Sequence, residues 1–107
     1  RYVEFRRTER RISVVAEEVL YTREGINELS DTVDLMLSED YKERFVAEYY
    51  QLEIRIRKLD KFIRRFKQGE LENKPNTSLD VLERQLSNMI KYAKTLEVRA
   101  EIEDIKL

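Results

Sequence analysis

Apolar residues recur along the second half of the chain with the spacing of helices. Phe45, Tyr49, Leu52, Ile56, Leu59, Ile63 and Phe66 follow one another at alternating steps of four and three, the repeat of one helical face. The pattern predicts a helix from Asp40 to about Gln68, about 42 Å long at 1.5 Å per residue. Asp40 is its expected N-cap, with Glu43 completing a capping box, and Gly69 its expected stop. Val46, Tyr50, Ile54 and Phe62 form a second stripe beside the first. One helical neighbour covers one stripe, so the second predicts a further partner, and another subunit is the expected one.

Past the main helix, residues 69–78 (GELENKPNTS) gather the turn formers, and Pro75 disfavours helix at Lys74. Thr77 or Ser78 caps the next helix, with Asp80 near its positive end. Its stripe is Leu82, Leu86, Met89, Ala93, Leu96 and Ala100, reaching about Ile105, while Ile90, Val98, Ile102 and Ile105 fall off that stripe as spare apolar surface. Two long helices joined by a short polar loop predict an antiparallel hairpin over residues 38–107.

Residues 1–37 are expected to form an N-terminal helical segment. Ile12, Val15, Val19, Ile26, Leu29, Val33 and Met36 fit one helical face, interrupted by Gly25. An interior Gly costs about 1 kcal/mol relative to Ala. The expectation is therefore two helices, from about Ser13 to Arg23 and from about Ile26 to Leu37. Residues 1–11 are compatible with a helix start or a short strand. The fold class is all-α.

Composition sharpens this reading. At 107 residues, 41% hydrophobic and 40% charged, with two Gly and one Pro, the chain has the profile of a single helical domain. It contains no Cys and no His, which excludes disulfides, thiolate chemistry, imidazole bases and the common Zn sites. No apolar run approaches the roughly 20 residues of a membrane span, and no signal-peptide pattern is visible.

The net charge of -1 conceals an asymmetry. From Tyr41 to Lys67 nine Lys or Arg face four acids, whereas the first forty residues carry six Arg and ten acids. Arg55, Arg57, Lys58, Lys61, Arg64 and Arg65 are either a solvated face paired with acids such as Glu53 and Asp60, or a grip for phosphate oxygens. Near-neutrality argues against duplex nucleic acid. Tyr41, beside Lys42 and Arg44, and Tyr50 are aromatic candidates for stacking on a nucleobase, whereas Tyr49 belongs to the core stripe. Asn88 and Arg99 flank the stripe of the last helix. The adjacent carboxylates Glu17/Glu18 and Glu103/Asp104 diverge on a helix and read as solvated surface. No phosphate loop, nucleophile elbow or metal spacing is present, so no enzyme and no cofactor are expected.

The run DYKERFVAEYYQLEIRIRKLDKFI, a polar loop, and LERQLSNMIKYAKTLEVRAEIEDIKL together resemble the small helical-hairpin proteins of bacteriophages. They are similar to the hairpin of the viral sponges that counter cyclic-oligonucleotide (CBASS) and Thoeris immune signalling. The resemblance covers residues 38–107. It implies a homo-oligomer, often a hexamer, in the cytoplasm of the host bacterial cell, which sequesters cyclic oligonucleotides or cyclic ADP-ribose isomers without cleaving them. Ligand sites in such sponges lie between subunits, with an aromatic ring on a base and cations on the phosphates. By that resemblance Tyr41, with Lys42 beside it, supplies the aromatic, and Arg55, Lys58, Asn88 and Arg99 are its polar partners. The rival expectation is a protein–protein module, a phage inhibitor or assembly factor, that grips its target with the same apolar stripes.

Overall fold

The structure, a computed structural model, describes residues 21–107. The expected helix from Ser13 and residues 1–11 lie almost wholly outside the described residues, as do Glu17 and Glu18. Within them the elements are a 3-10 turn (Leu29–Thr32), α1 (Val33–Met36), α2 (Tyr41–Lys67) and α3 (Leu79–Ile102). Every regular element among the described residues is helical.

The boundaries of the long helices follow from their caps. Asp40 has extended backbone and its carboxylate accepts from the Lys42 amide at 2.9 Å, satisfying one orphan donor of the first turn. The capping box with Glu43 is corrected: the Asp40 amide donates to Ser38 Oγ at 2.9 Å. The nearer hydroxyl wins because it closes a two-residue turn. At the other end Gly69 has φ +72°, and the amides of Gly69 and Glu70 donate back to the carbonyls of Phe66 and Arg65, a Schellman stop. Ser78 caps α3 by accepting from the Val81 amide at 3.4 Å.

Three expectations fail for physical reasons. The helix expected over Ile26–Leu37 shrinks to the 3-10 turn and α1. Gly25 at φ +91° breaks the chain, and Asp31 Oδ2 then accepts from the Asn27 and Glu28 amides at 2.9 Å each, which starts the helical segment late. Its buried positions are Thr32 and, partly, Leu35, while Val33 and Met36 face outward. α3 stops at Ile102 rather than Ile105. Asp104 takes the left-handed conformation (φ 59°) and the Ile105 amide donates to Ala100 O at 2.8 Å, which folds the Ile105 side chain into the core.

Third, the second stripe of α2 is no spare surface. Val46 and Ile54 are 5% and 4% exposed and Tyr50 is fully buried, while Phe62 is half-buried. Tyr21, Ile26 and Leu35 pack against the same core as Phe45, Val46, Tyr49 and Tyr50. Ile90 and Ile105, expected off-stripe, belong to that core as well. The exposed large apolar side chains are elsewhere, chiefly Leu37, Val98 and Ile102 at 72%, 57% and 78%.

α2 and α3 meet in opposite chain directions. Tyr41 bonds to Glu103, Lys42 to the Asp104 carbonyl, Tyr49 to Glu97 and Tyr92 to Glu48, while Lys67 pairs with Glu83 near the connecting loop. Between them Ile56, Ala93 and Leu96 are at most 1% exposed. Among the described residues no helix is long and apolar enough to cross a membrane.

Candidate functional site

The first residue of α2 and the last turn of α3 lie side by side, and this brings three of the sequence-predicted residues together. Arg99 Nη2 donates to the Tyr41 hydroxyl at 2.7 Å, and that hydroxyl donates to Glu103 Oε1 at 2.8 Å. Arg99 Nε closes the ring by donating to Glu103 Oε2 at 3.0 Å. Lys42 Nζ caps the end of α3 by donating to the Asp104 carbonyl at 3.0 Å. Beneath the ring, the Arg99 guanidinium lies 5.0 Å from the centroid of the buried Phe45 ring, which Tyr41 meets edge-on at 6.3 Å.

Local sequence explains why these groups meet. Arg99 and Glu103 are four apart and share a helical face. Tyr41 is the first helical residue behind the Asp40 cap, so its ring projects over the end of the antiparallel neighbour. The exchange of charge is visible in proton affinities. The Tyr41 hydrogen bond holds the Glu103 carboxyl below its ordinary range, with the Arg99 bond adding to it. The same Glu103 bond raises the Tyr41 phenol and, on the other side, the Arg99 guanidinium. Tyr92 is raised chiefly by its hydrogen bond to Glu48.

Tyr41, Glu48 and Arg55 are spaced seven apart and run along one ridge of α2, drifting about 20° per heptad. Asn88, Tyr92 and Arg99, at steps of four and seven, run along α3. The Tyr41–Arg99 and Glu48–Tyr92 bonds join the two rows. These bonds bring Tyr41 and Arg99 together, while Arg55 and Asn88 continue their own rows by spacing alone. Arg55 lies about 21 Å from Tyr41 at 1.5 Å per residue, so within one protomer a single small ligand does not touch both. Tyr41 and Tyr92 are each 46% exposed. Tyr50, the other aromatic candidate, is fully buried and belongs to the core.

Lys58 stands apart, about 25 Å along α2 from Tyr41. It pairs with Glu28 at 3.4 Å and lines a cavity of about 410 Å³ with Arg23, Ile26, Glu53, Ile54 and Arg57. In the basic run, Arg57 pairs with the buried Glu53, and Arg64 with Asp60 at 3.4 Å, as the solvated-face reading expects. Lys61 and Arg65 line an open recess of about 540 Å³ at the end of α2. Among the described residues no group of three or more His, Cys, Asp or Glu is arranged to hold a metal ion.

Sequence reasoning missed Glu103, Glu48 and Tyr92. Glu103 was read as solvated surface beside Asp104, but its four-residue spacing from Arg99 carried a signal. Its bond to Tyr41 needed the tertiary fold.

A family model described as Sequestin matches residues 39–102, from the α2 cap to the end of α3. No curated protein and no solved structure matches the chain.

Proposed function

Since the chain belongs to the Sequestin family, whose name speaks of sequestration, we propose that it is a bacteriophage anti-defence sponge. It binds cyclic oligonucleotides or cyclic ADP-ribose isomers and holds them without turnover. What supports this most is the convergence of Tyr41, Lys42 and Arg99 at one helix junction: an exposed aromatic face beside two cations suits a base and its phosphate. Asn88 and Arg55, exposed further along the same two helices, are further polar groups available to a ligand shared between copies. In this reading pockets are completed by a second copy, and Leu37, Val98 and Ile102 are the exposed apolar side chains available to a homo-oligomer, a hexamer by the family resemblance. Immunity is inhibited in the host cytoplasm by lowering free messenger.

Calorimetric titration with cyclic di- and trinucleotides and cyclic ADP-ribose isomers tests the proposal. A bound messenger at one hundred times its dissociation constant stabilises the fold by about 2.7 kcal/mol, and chromatography of the released ligand returns it intact. Absence of heat and of thermal stabilisation across the panel overturns the proposal, and conversion of the ligand replaces it with an enzyme. Because Val46, Tyr50 and Ile54 are buried, both a homo-oligomer and the rival protein–protein module would have to use other apolar side chains, such as Leu37, Val98 and Ile102.

A further inference from the structure

We infer that Glu103 is an internal occupant of the anion seat, a carboxylate that a ligand phosphate must displace to reach Arg99 and Tyr41, and that it sets the affinity threshold of the site. The inference rests on the sponge reading and deepens it. Its basis is the ring itself. Both Glu103 oxygens are engaged, Oε1 by the Tyr41 hydroxyl at 2.8 Å and Oε2 by Arg99 Nε at 3.0 Å, and the remaining Arg99 contact runs to the Tyr41 oxygen at 2.7 Å. Arg99 Nε and the Tyr41 hydroxyl, two donors a phosphate would use, are thus taken by a group of the same charge sign and similar oxygen spacing.

Charge bookkeeping points the same way. Arg99 and Lys42 act electrostatically on a neighbourhood that also contains Glu103 and Glu48, two cations against two carboxylates. With Glu103 seated, its carboxylate occupies donors that face the junction. With it swung out, Arg99 and the Tyr41 hydroxyl are open and Lys42 is close by. The contact is exchangeable because it is at the surface, where an ion pair with its hydrogen bonds is modest in strength. Glu103 also stands at the C-cap of α3, just before the left-handed Asp104, so its side chain can leave without unwinding a helical turn. A ligand offering a single weak anion gains little by replacing Glu103. One offering a phosphate that accepts from Arg99 and Tyr41 together, plus a base for the exposed Tyr41 face, gains more. Glu103 thereby discriminates in favour of phosphorylated aromatic ligands over simple metabolite carboxylates.

The test compares wild type with E103Q, E103A, E48Q and R99Q/E103Q by calorimetry, using cyclic di-AMP, cyclic tri-AMP and cyclic ADP-ribose as probes. E103Q and E103A are expected to lower Kd about threefold to tenfold for a probe that wild type binds, the scale of one surface ion pair with its hydrogen bonds. E48Q, which removes the same charge but frees no donor of Arg99, is expected to gain less, and R99Q/E103Q to lose the gain. If wild type binds a probe and Glu103 substitution leaves Kd unchanged or weaker, or E48Q gains as much, Glu103 is no occupant and this inference falls while the sponge reading stands. Binding by E103Q or E103A where wild type binds nothing supports both. If no probe binds to any of the five proteins, both fall.

Discussion

Tyr49 and Tyr50 are neighbours in sequence, fully buried, and packed edge to face at 5.1 Å, yet removing their hydroxyls should move stability in opposite directions. The Tyr49 hydroxyl donates to Glu97 Oε2 at 2.6 Å and accepts from the Tyr21 amide at 3.4 Å. The Tyr50 hydroxyl is buried and has no hydrogen-bond partner among the described residues. A buried hydroxyl without a partner costs about 1–3 kcal/mol of desolvation, so Tyr50→Phe is expected to stabilise by about 1 kcal/mol or more after the loss of some packing. For a domain of this size that raises Tm by roughly 4–8 °C per kcal/mol. Tyr49→Phe removes the hydroxyl donated to the Glu97 carboxylate and is expected to destabilise by about 1.5–3 kcal/mol.

Burial also pushes the Tyr50 phenol up to about 12, which adds a pH signature. The unfolded chain releases this proton near pH 10 and the folded chain near 12, so folding stability is complete below about pH 10 and falls above it. The slope is about 1.4 kcal/mol per pH unit between those limits. Tyr41 and Tyr92 also titrate high, but they do so in both proteins, so the difference between wild type and Tyr50→Phe isolates Tyr50. Urea melts at pH 7, 10 and 11.5, with m unchanged, measure all of this. A Tyr50→Phe protein less stable than wild type at pH 7, with an unaltered alkaline limb, would refute the claim that the hydroxyl is unpartnered.

Further measurements probe other joints of the fold. Leu96→Ala opens a cavity where α3 meets α2, at a side chain 1% exposed, and should cost about 2–5 kcal/mol in chemical denaturation. Asp40→Ala removes the cap that holds the Lys42 amide and should cost about 1 kcal/mol, with hydrogen exchange accelerated first at the start of α2. Asp104→Gly relieves a left-handed residue at φ 59° and should be neutral or stabilising by up to about 1 kcal/mol, where loss would show that the Asp104 side chain contributes. Glu103 has a depressed carboxyl, so the stability its ring contributes is full above the ordinary carboxylate range and declines below it, and the ring itself breaks only as pH falls through the lower folded-state value, which NMR of the Tyr41 ring should follow.

Two long helices, their N-caps at Asp40 and Ser78, and the glycine stop at Gly69 were legible in the chain because each is a local matter of periodicity or of one side chain reaching a nearby amide. Tyr41, Lys42 and Arg99 were recognisable as an aromatic and two cations near helix ends, and the structure brings them together. The partners of those residues were not legible. Tyr41 and Glu103 are 62 positions apart, and which acid closes the ring depends on the register in which α3 returns along α2. Tertiary structure alone decided that Val46, Tyr50 and Ile54 are interior, because whether a second stripe faces a neighbour or solvent depends on what folds over it. That Lys58 and Tyr41 lie far apart, by contrast, already followed from their spacing on one long helix. Periodicity assigns a residue to a face of its own helix; only packing assigns that face a neighbour.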